Sequence, residues 1–317
     1  MAGRARIAVA GAGAFGLEHL RRLAAMQGVE IAGVAEKHPD AARDALARLG
    51  ITQVAADVRA LIADKPDGIV IATPGRTHVR LAAETLAAGI PVLVEKPVGM
   101  NAAEARSLAE AERRSGAFVL PGHVTRFSRH HRMLHEIARS EIGAMLSFTS
   151  RRHRDDGHAV RYAEVDPVLM TMIHDIDMGL WMTGAGIRTL HAMRRPPNTV
   201  RADTMMQAAG KNGVSWQLHA AWTFAGAATP PDRVEIVGED GSVELEAGTA
   251  IRQYGAQSRT IDLAGLPEDP LAEELAYFVQ CIRSGNRPEI VTMADACEGL
   301  SIADAVIAAA KDPHDPR

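Results

Sequence analysis

Three glycines near the N-terminus constrain this chain more than any other feature. They fall in the run VAGAGAFG, residues 9–16, directly after the apolar stretch Ile7–Ala10 and directly before an amphipathic stretch. At a strand-to-helix junction, the first glycine permits a tight turn. The second lets backbone amides approach a pyrophosphate, and the third lets helix and strand pack closely. The helix N-terminus then presents unpaired N–H groups and a positive dipole end to an anion. Gly11, Gly13, Ala14, Phe15 and Gly16 are therefore candidate contacts to a dinucleotide. An acidic residue, Glu36, closes the next apolar run about 20 residues further on, the spacing that strengthens an otherwise weak glycine motif. Its carboxylate can accept from ribose hydroxyls and repel a ribose phosphate, which selects NAD over NADP. Lys37 beside it can neutralise an added phosphate and keeps NADP open as the second cofactor.

Short apolar runs near 7–10, 30–35, 68–72, 92–94 and 117–120 alternate with amphipathic stretches near 14–27, 39–49, 76–88 and 101–115. Strands without polar alternation, separated by helices, predict a doubly wound parallel sheet covered on both faces. Asn101 and Glu104 have the spacing of a capping box. After residue 121 the pattern changes. A basic helix near 127–138 leads into the strand-like AMLSFTSRRH, a Met-rich helical stretch follows at 167–182, and 186–263 holds strand-like runs divided by turn clusters. A largely antiparallel sheet is expected there. Helices near 271–284 and 292–311 close the chain, and the tail KDPHDPR is expected to fray. The fold class is α/β with two domains, 1–121 for dinucleotide binding and 122–317 for substrate binding and oligomerisation. The last helices are free to pack back on the first domain.

Composition narrows the function further. At 317 residues, with 47% apolar and 23% charged residues and a net charge of −4, the chain has an ordinary globular make-up and no general attraction for nucleic acid or membrane. Cys281 and Cys297 are too few for a disulfide framework and read as reduced thiols. No apolar run reaches the roughly 18 residues of a membrane span. The first residues read as a strand and glycine turn rather than an export signal, so a soluble, cytoplasmic protein is expected. No GxSxG elbow or Walker loop is present to support a hydrolase or kinase.

The stretch LVEKPVG, residues 93–99, is unusual for the end of a buried strand, because an apolar run meets a carboxylate, an ammonium and a proline. The longer segment ATPGRTHVRLAAETLAAGIPVLVEKPVGMN, residues 72–101, resembles the Gfo/Idh/MocA oxidoreductases, the glucose–fructose oxidoreductase and inositol dehydrogenase family. GHVTRF (122–127), MIHDIDMGLW (172–181) and VEIVGEDGSVELE (234–246) have counterparts there in the same order. The resemblance implies a Rossmann domain followed by an α/β domain with an open sheet that forms homodimers or homotetramers. It also implies hydride transfer between NAD(P) and sugars, polyols or their derivatives. Thr73, Pro74, His78, Glu95 and Lys96 would then line the cofactor, with Lys96 reaching the reacting hydroxyl. An ammonium there lowers the alcohol pKa and holds the forming carbonyl.

The same resemblance makes His174 the proton acceptor, and imidazole has a suitable pKa for general-base work. The family usually carries aspartate four residues earlier, where this chain has Met170. Three readings stay open. Asp177 or Asp175 orients His174; Lys96 and His174 suffice; or the substrate is not a simple polyol and meets Met170 through an apolar contact. In helical register Met170, His174, Asp177 and Trp181 share one side. Lys96, His174 and Asp177 are thus the catalytic candidates, and Arg126, Met170 and His174 the substrate-binding ones.

Residues 122–161 hold eight arginines against four carboxylates. They suit either an anionic or nucleotide-linked sugar or simply a solvated basic helix and strand end. GHxxRF also looks like the corresponding stretch in UDP-N-acetylglucosamine dehydrogenases of this family. His131 and His135 lack a third ligand, so no metal site is expected. The alternatives to a sugar or polyol dehydrogenase are a reductase of an oxo or imine group and a catalytically silent NAD-binding regulatory protein.

Overall fold

The apolar runs of the N-terminal half form a five-stranded parallel sheet in a computed structural model that describes residues 3–197, 199–226 and 228–311. Two units separate by contact density: Met1–Phe127 with Asp269–Cys297, and Ser128–Glu268 with Glu298–Arg317. The end of the tail, from 312 onward, lies outside the described residues.

In the first unit, β1 (Ala5–Ala10), α1 (Ala14–Ala25), β2 (Val29–Ala35), α2 (Arg43–Arg48) and α3 (Val58–Ala63) are followed by β3 (Gly68–Ile71), α4 (His78–Ala87), β4 (Val92–Glu95), α5 (Ala102–Ser115) and β5 (Val119–Gly122). The sheet order is β2-β1-β3-β4-β5. A single parallel bridge between Ala35 and Ala55 sits beyond β2 and reduces a sixth strand to one residue pair. Chain direction from β1 therefore switches between β2 and β3, the place where such sheets bind ligands at their carboxyl ends. β1, β3, β4 and β5 are buried on both faces, as parallel sheets require, while the edge strand β2 is partly exposed. The helix expected over 39–49 divides into a 3-10 turn, Pro39–Ala41, and the short α2. The six residues of α3 are too few to show a helical period, and the helix is held by Asp57, whose carboxylate accepts from Arg59 N at 3.0 Å and Ala60 N at 3.2 Å. Asn101 caps α5 by accepting from Glu104 N at 2.9 Å, while Glu104 Oε2 accepts from Met100 N at 2.8 Å.

The second unit contains α6 (Arg129–Ser140), β6 (Met145–Asp155), α7 (Asp156–Arg161), α8 (Ile173–Thr183) and β7 (Ile187–Arg195). It continues through β8 (Asp203–Gly210), β9 (Ser215–Phe224), β10 (Arg233–Gly238), β11 (Gly241–Glu246), β12 (Ala250–Gly255) and β13 (Arg259–Asp262). These strands form one sheet, β13-β12-β11-β10-β6-β9-β8-β7, antiparallel except for β6 against β9. Alternation along β8 and β9 sends Met206, Trp216 and Leu218 inward and leaves Met205 and Gln217 exposed. Helix α8 packs on β6 and β9, so closely that a Cβ on Gly179 would lie 2.4 Å from the Trp216 ring.

Helix α9 (Pro270–Ser284) belongs to the first unit, where Asp269 pairs with Arg22 of α1 at 2.7 Å and Phe278 meets Phe118 edge to face. Helix α10 (Met293–Ala309) begins in the first unit and ends in the second.

Two histidines of the second unit are held neutral. Burial, then the charges of His219 and Arg151, lowers His153 to about 4. Burial, then the Arg152 charge, lowers His131 to about 3. Both folded values lie below the ordinary 6.5, so the unfolded chain binds more protons between them and stability is lost as pH falls through that window. Urea unfolding should show a stability plateau above pH 6.5 and a decline toward pH 4, each group adding a slope of up to about 1.4 kcal/mol per pH unit. His153→Asn should flatten part of that decline, and an unchanged slope would contradict the assignment.

Candidate active site

The glycine loop is shaped by close backbone approach. Gly11 has φ +98°, and a Cβ there would stand 2.5 Å from Ala72 O at the end of β3. A Cβ on Gly16 would meet Gly11 O at 2.0 Å. Gly13 is different: no atom lies within 4 Å of the position a Cβ would take. Gly13, Ala14 and Phe15 are exposed, Gly13 is the N-cap of α1 without a side-chain cap, and the first turn carries no acidic residue. The positive end of α1 therefore faces open space bordered by backbone N–H groups, the environment a dinucleotide pyrophosphate needs. Glu36 Oε2 accepts from Ala12 N at 2.7 Å and Oε1 from His38 N at 2.9 Å. Burial pushes this carboxyl up, but the donors Ala12, His38 and Lys37 outweigh it and hold the group below its ordinary value. An ionised acceptor thus stands beside the loop, with Lys37 exposed next to it. These residues fit NAD.

The second cofactor segment follows β3. Thr73 is half-buried, Pro74 exposed, and the Thr73 and Thr77 hydroxyls are 2.7 Å apart. His78 corrects the expectation of a ligand contact. Its ring is 1% exposed, with Nε2 2.7 Å from Thr73 O and Nδ1 2.9 Å from Pro97 O. It ties two loops together and offers no surface to a ligand. Glu95 needs the same correction, since it is 7% exposed and its Oε1 lies 2.7 Å from His19 Nε2. Lys96, at the carboxyl end of β4, is half-buried.

In the second unit the Met-rich stretch opens as a π-turn, Val168–Met172, before α8 continues it. π-turns are rare and concentrate at functional sites. Asp166 accepts from Val168 N at 2.9 Å and is gripped by both terminal nitrogens of Arg194, at 2.8 and 2.7 Å. Thr171 Oγ1 accepts from Trp222 Nε1 at 2.9 Å. Burial divides the expected single stripe: Met170, His174 and Trp181 are half-buried, whereas Asp177 is fully buried. Asp175 turns the other way. Its Oδ1 accepts from Ser150 Oγ at 2.6 Å and Arg152 Nε at 2.7 Å, and Arg152 also reaches Asp232 at 2.9 Å. Burial raises the Asp175 carboxyl despite the guanidinium beside it. Asp175 thus anchors the residue after His174 to β6.

Three of the arginines are engaged inside the fold. Arg152 and Arg154 are paired with Asp232. Arg126, expected to meet substrate, is 4% exposed and donates to Ile290 O at 3.0 Å, with Asp295 at 3.3 Å. Its burial makes it a structural anchor of its own unit. His131 Nδ1 lies 2.8 Å from Ser128 Oγ, and His135 packs against Trp181 with the rings tilted by 35°. Among the described residues no group of three or more His, Cys, Asp or Glu could hold a metal ion. His19, Arg194 and Asp232 carry no local sequence signal, because each acts through partners far along the chain.

A glycine loop at the switch point of a parallel sheet, with a charge-selective acid at the next strand end, defines a dinucleotide-binding protein. Comparison with known proteins specifies which. Residues 5–123 match the model of the GFO/IDH/MocA oxidoreductase family, NAD-binding Rossmann fold, and residues 130–244 match the GFO/IDH/MocA C-terminal domain. The chain belongs to this oxidoreductase family. It is 30% identical to inositol 2-dehydrogenase of Leifsonia xyli subsp. xyli over 66% of its length, a match spanning 64% of that relative. It is 29% identical to the rhizopine catabolism protein MocA of Rhizobium meliloti, over 95% of this chain and 94% of that protein. The structure of UDP-N-acetylglucosamine 3-dehydrogenase from Acidithiobacillus ferrooxidans superposes with a TM-score of 0.85 at 25% identity, covering 98% and 99% of the two chains.

Removing one partner from the buried Arg152–Asp175 pair should be far worse than removing both. Arg152→Leu should cost about 3–5 kcal/mol in urea unfolding, because a buried carboxylate loses its counter-ion. Adding Asp175→Leu should recover much of that loss; equal losses in the single and double variants would mean the pair is not a unit.

Proposed function

We propose that this protein is an NAD-dependent dehydrogenase of a sugar, polyol or sugar derivative, in which Lys96 and His174 carry the proton chemistry. The observation behind this reading is the open positive end of α1 at Gly13 together with a lysine held at the carboxyl end of β4. Family membership and the names of the similar dehydrogenases support the substrate class. NAD, when bound, accepts hydride from the alcohol carbon. Gly11–Gly16 would hold its pyrophosphate and Glu36 its adenosine ribose, and Thr73 and Pro74 would contact its nicotinamide half. Lys96 donates to the reacting oxygen, lowering the hydroxyl pKa and stabilising the carbonyl as it forms. His174 takes the hydroxyl proton. Asp177, fully buried on the same helix, supports His174 from within the fold. Met170 replaces a carboxylate with a thioether and offers substrate an apolar contact.

We assign the dinucleotide to residues 1–121 and substrate and the oligomer contact to residues 122–317, apart from the stretches up to Phe127 and Asp269–Cys297 that belong to the first unit. The open face of the eight-stranded sheet supports a homodimer or homotetramer. Met193 and Met205, cross-strand neighbours in β7 and β8, are 49% and 44% exposed there. Light scattering should report more than one protomer, and a monomer at micromolar concentration would remove this assignment. Cys281 and Cys297 are not disulfide-bonded, which suits the reducing cytoplasm. Among the described residues no helix is long and apolar enough to cross a membrane.

The direct test follows reduced-nicotinamide absorbance with NAD and NADP across inositols, other polyols, free sugars, sugar acids and UDP-sugars. Turnover should appear with NAD, fall at least about a hundredfold in Lys96→Ala and His174→Ala, and leave NAD affinity near wild type in His174→Ala. Glu36→Ala should narrow the preference for NAD over NADP. Absence of turnover across the panel despite tight NAD binding would favour the oxo or imine substrate, for which Met170 is the supporting residue.

A further inference from the structure

Lys96 sits between two residues that are each held by a buried histidine. The residue before it, Glu95, is the last residue of β4. Glu95 Oε1 lies 2.7 Å from His19 Nε2, and its Oε2 accepts the Lys96 backbone N–H at 3.2 Å. The residue after it, Pro97, presents its carbonyl to His78 Nδ1 at 2.9 Å, while His78 Nε2 is 2.7 Å from Thr73 O. His19 and His78 are 0% and 1% exposed. Neither ring has surface left for a ligand, yet both bond directly to the neighbours of the proposed catalytic lysine.

We propose that His19 and His78 are positioning residues that brace the backbone on either side of Lys96 and so fix the direction of its ammonium group. This inference rests on the role given to Lys96 above. A lysine side chain has four rotatable bonds and loses more entropy on ordering than most residues. Fixing its backbone on both sides removes part of the disorder that would otherwise oppose a productive geometry. The brace also connects the two cofactor segments. His19 lies on α1, whose first turn is the glycine loop, so the helix that meets the pyrophosphate also holds Glu95. His78 joins the Thr73 loop to the turn that carries Lys96.

Glu274 of α9 is consistent with this arrangement. It is fully buried, and neither carboxyl oxygen has a hydrogen-bond partner among the described residues. Burial, then the nearby Glu95 charge, pushes it well above the ordinary range. Its charged form is disfavoured beside Glu95, which lessens repulsion next to the Glu95–His19 contact.

The test uses the full chain with His19→Leu, His19→Gln, His78→Leu and Glu95→Gln, beside Lys96→Ala. Amide hydrogen exchange at Lys96 and Val98, measured without cofactor, reads the brace independently of turnover. Calorimetric NAD affinity and steady-state kinetics complete the set. The leucine variants should speed exchange at these amides and lower kcat about tenfold or more, with NAD affinity within about threefold of wild type. His19→Gln, which keeps a donor to Glu95, should recover most of the kcat. Leucine variants with wild-type exchange and kcat would overturn the proposal, as would His19→Gln behaving no better than His19→Leu. If a leucine variant does not fold, Glu95→Gln decides: it keeps the shape but weakens both bonds to Glu95, so unchanged exchange at Lys96 overturns the brace. Turnover retained in Lys96→Ala would instead reject the catalytic role of Lys96, while the exchange data would still decide whether the brace exists.

Discussion

The close approach of the Gly11 and Gly16 backbone to its surroundings is the constraint on which the dinucleotide-binding unit depends. Two glycines let the chain pass from β1 into α1 with main chain against main chain, where a methyl group would overlap Ala72 O or Gly11 O. That approach sets α1 over the sheet with its first turn uncovered at Gly13. Glu36, the Thr73 loop and Lys96 then lie at the carboxyl ends of β2, β3 and β4, the edge where the peptide N–H groups and the helix dipole favour an anionic ligand. The glycines do not bind by virtue of chemistry of their own; they remove atoms that would stand in the way.

The second unit solves a different problem, which is to hold polar residues on a largely buried helix. A π-turn opens that helix, secured by Asp166 to Arg194 and by Thr171 to Trp222. The Arg152–Asp175–Asp232 group then ties the start of α8 to β6 and to the segment before β10. A buried ion group of this kind adds little net stability, because desolvation offsets most of the attraction. What it supplies is a defined register for the residue beside it, His174.

Much of the fold was legible because it follows from periodicity and local chemistry. Unalternated apolar runs marked all five parallel strands, and alternation with turn clusters marked the antiparallel sheet. Asn101 and Asp57 show the limit of such reasoning from either side. Both cap helices, but α5 is long enough to display a period and α3 is not. The π-turn was not legible either, since its residues are ones an ordinary α-helix also accommodates. Within the site, Glu36 and Lys96 could be picked out from spacing and context. The correction of His78, Glu95 and Arg126 from ligand contacts to internal anchors had no local signal. A motif marks residues that a site needs without saying which of them touch the ligand and which hold the others in place.

The amino-acid sequence by itself determined the two-part α/β organisation, the glycine turn, the acid after β2 and the placement of a lysine at a strand end. These depend on neighbours within a few residues, where steric and hydrogen-bonding rules act directly on the chain. Tertiary structure alone decided that His19 meets Glu95 across 76 residues, that Arg152 meets Asp175 across 23, and that His78 lies between two carbonyls. Burial makes such polar contacts matter, because a charged or polar side chain away from water must find its partner inside the fold. Which partner it finds depends on the packing of whole elements, and no local pattern encodes that.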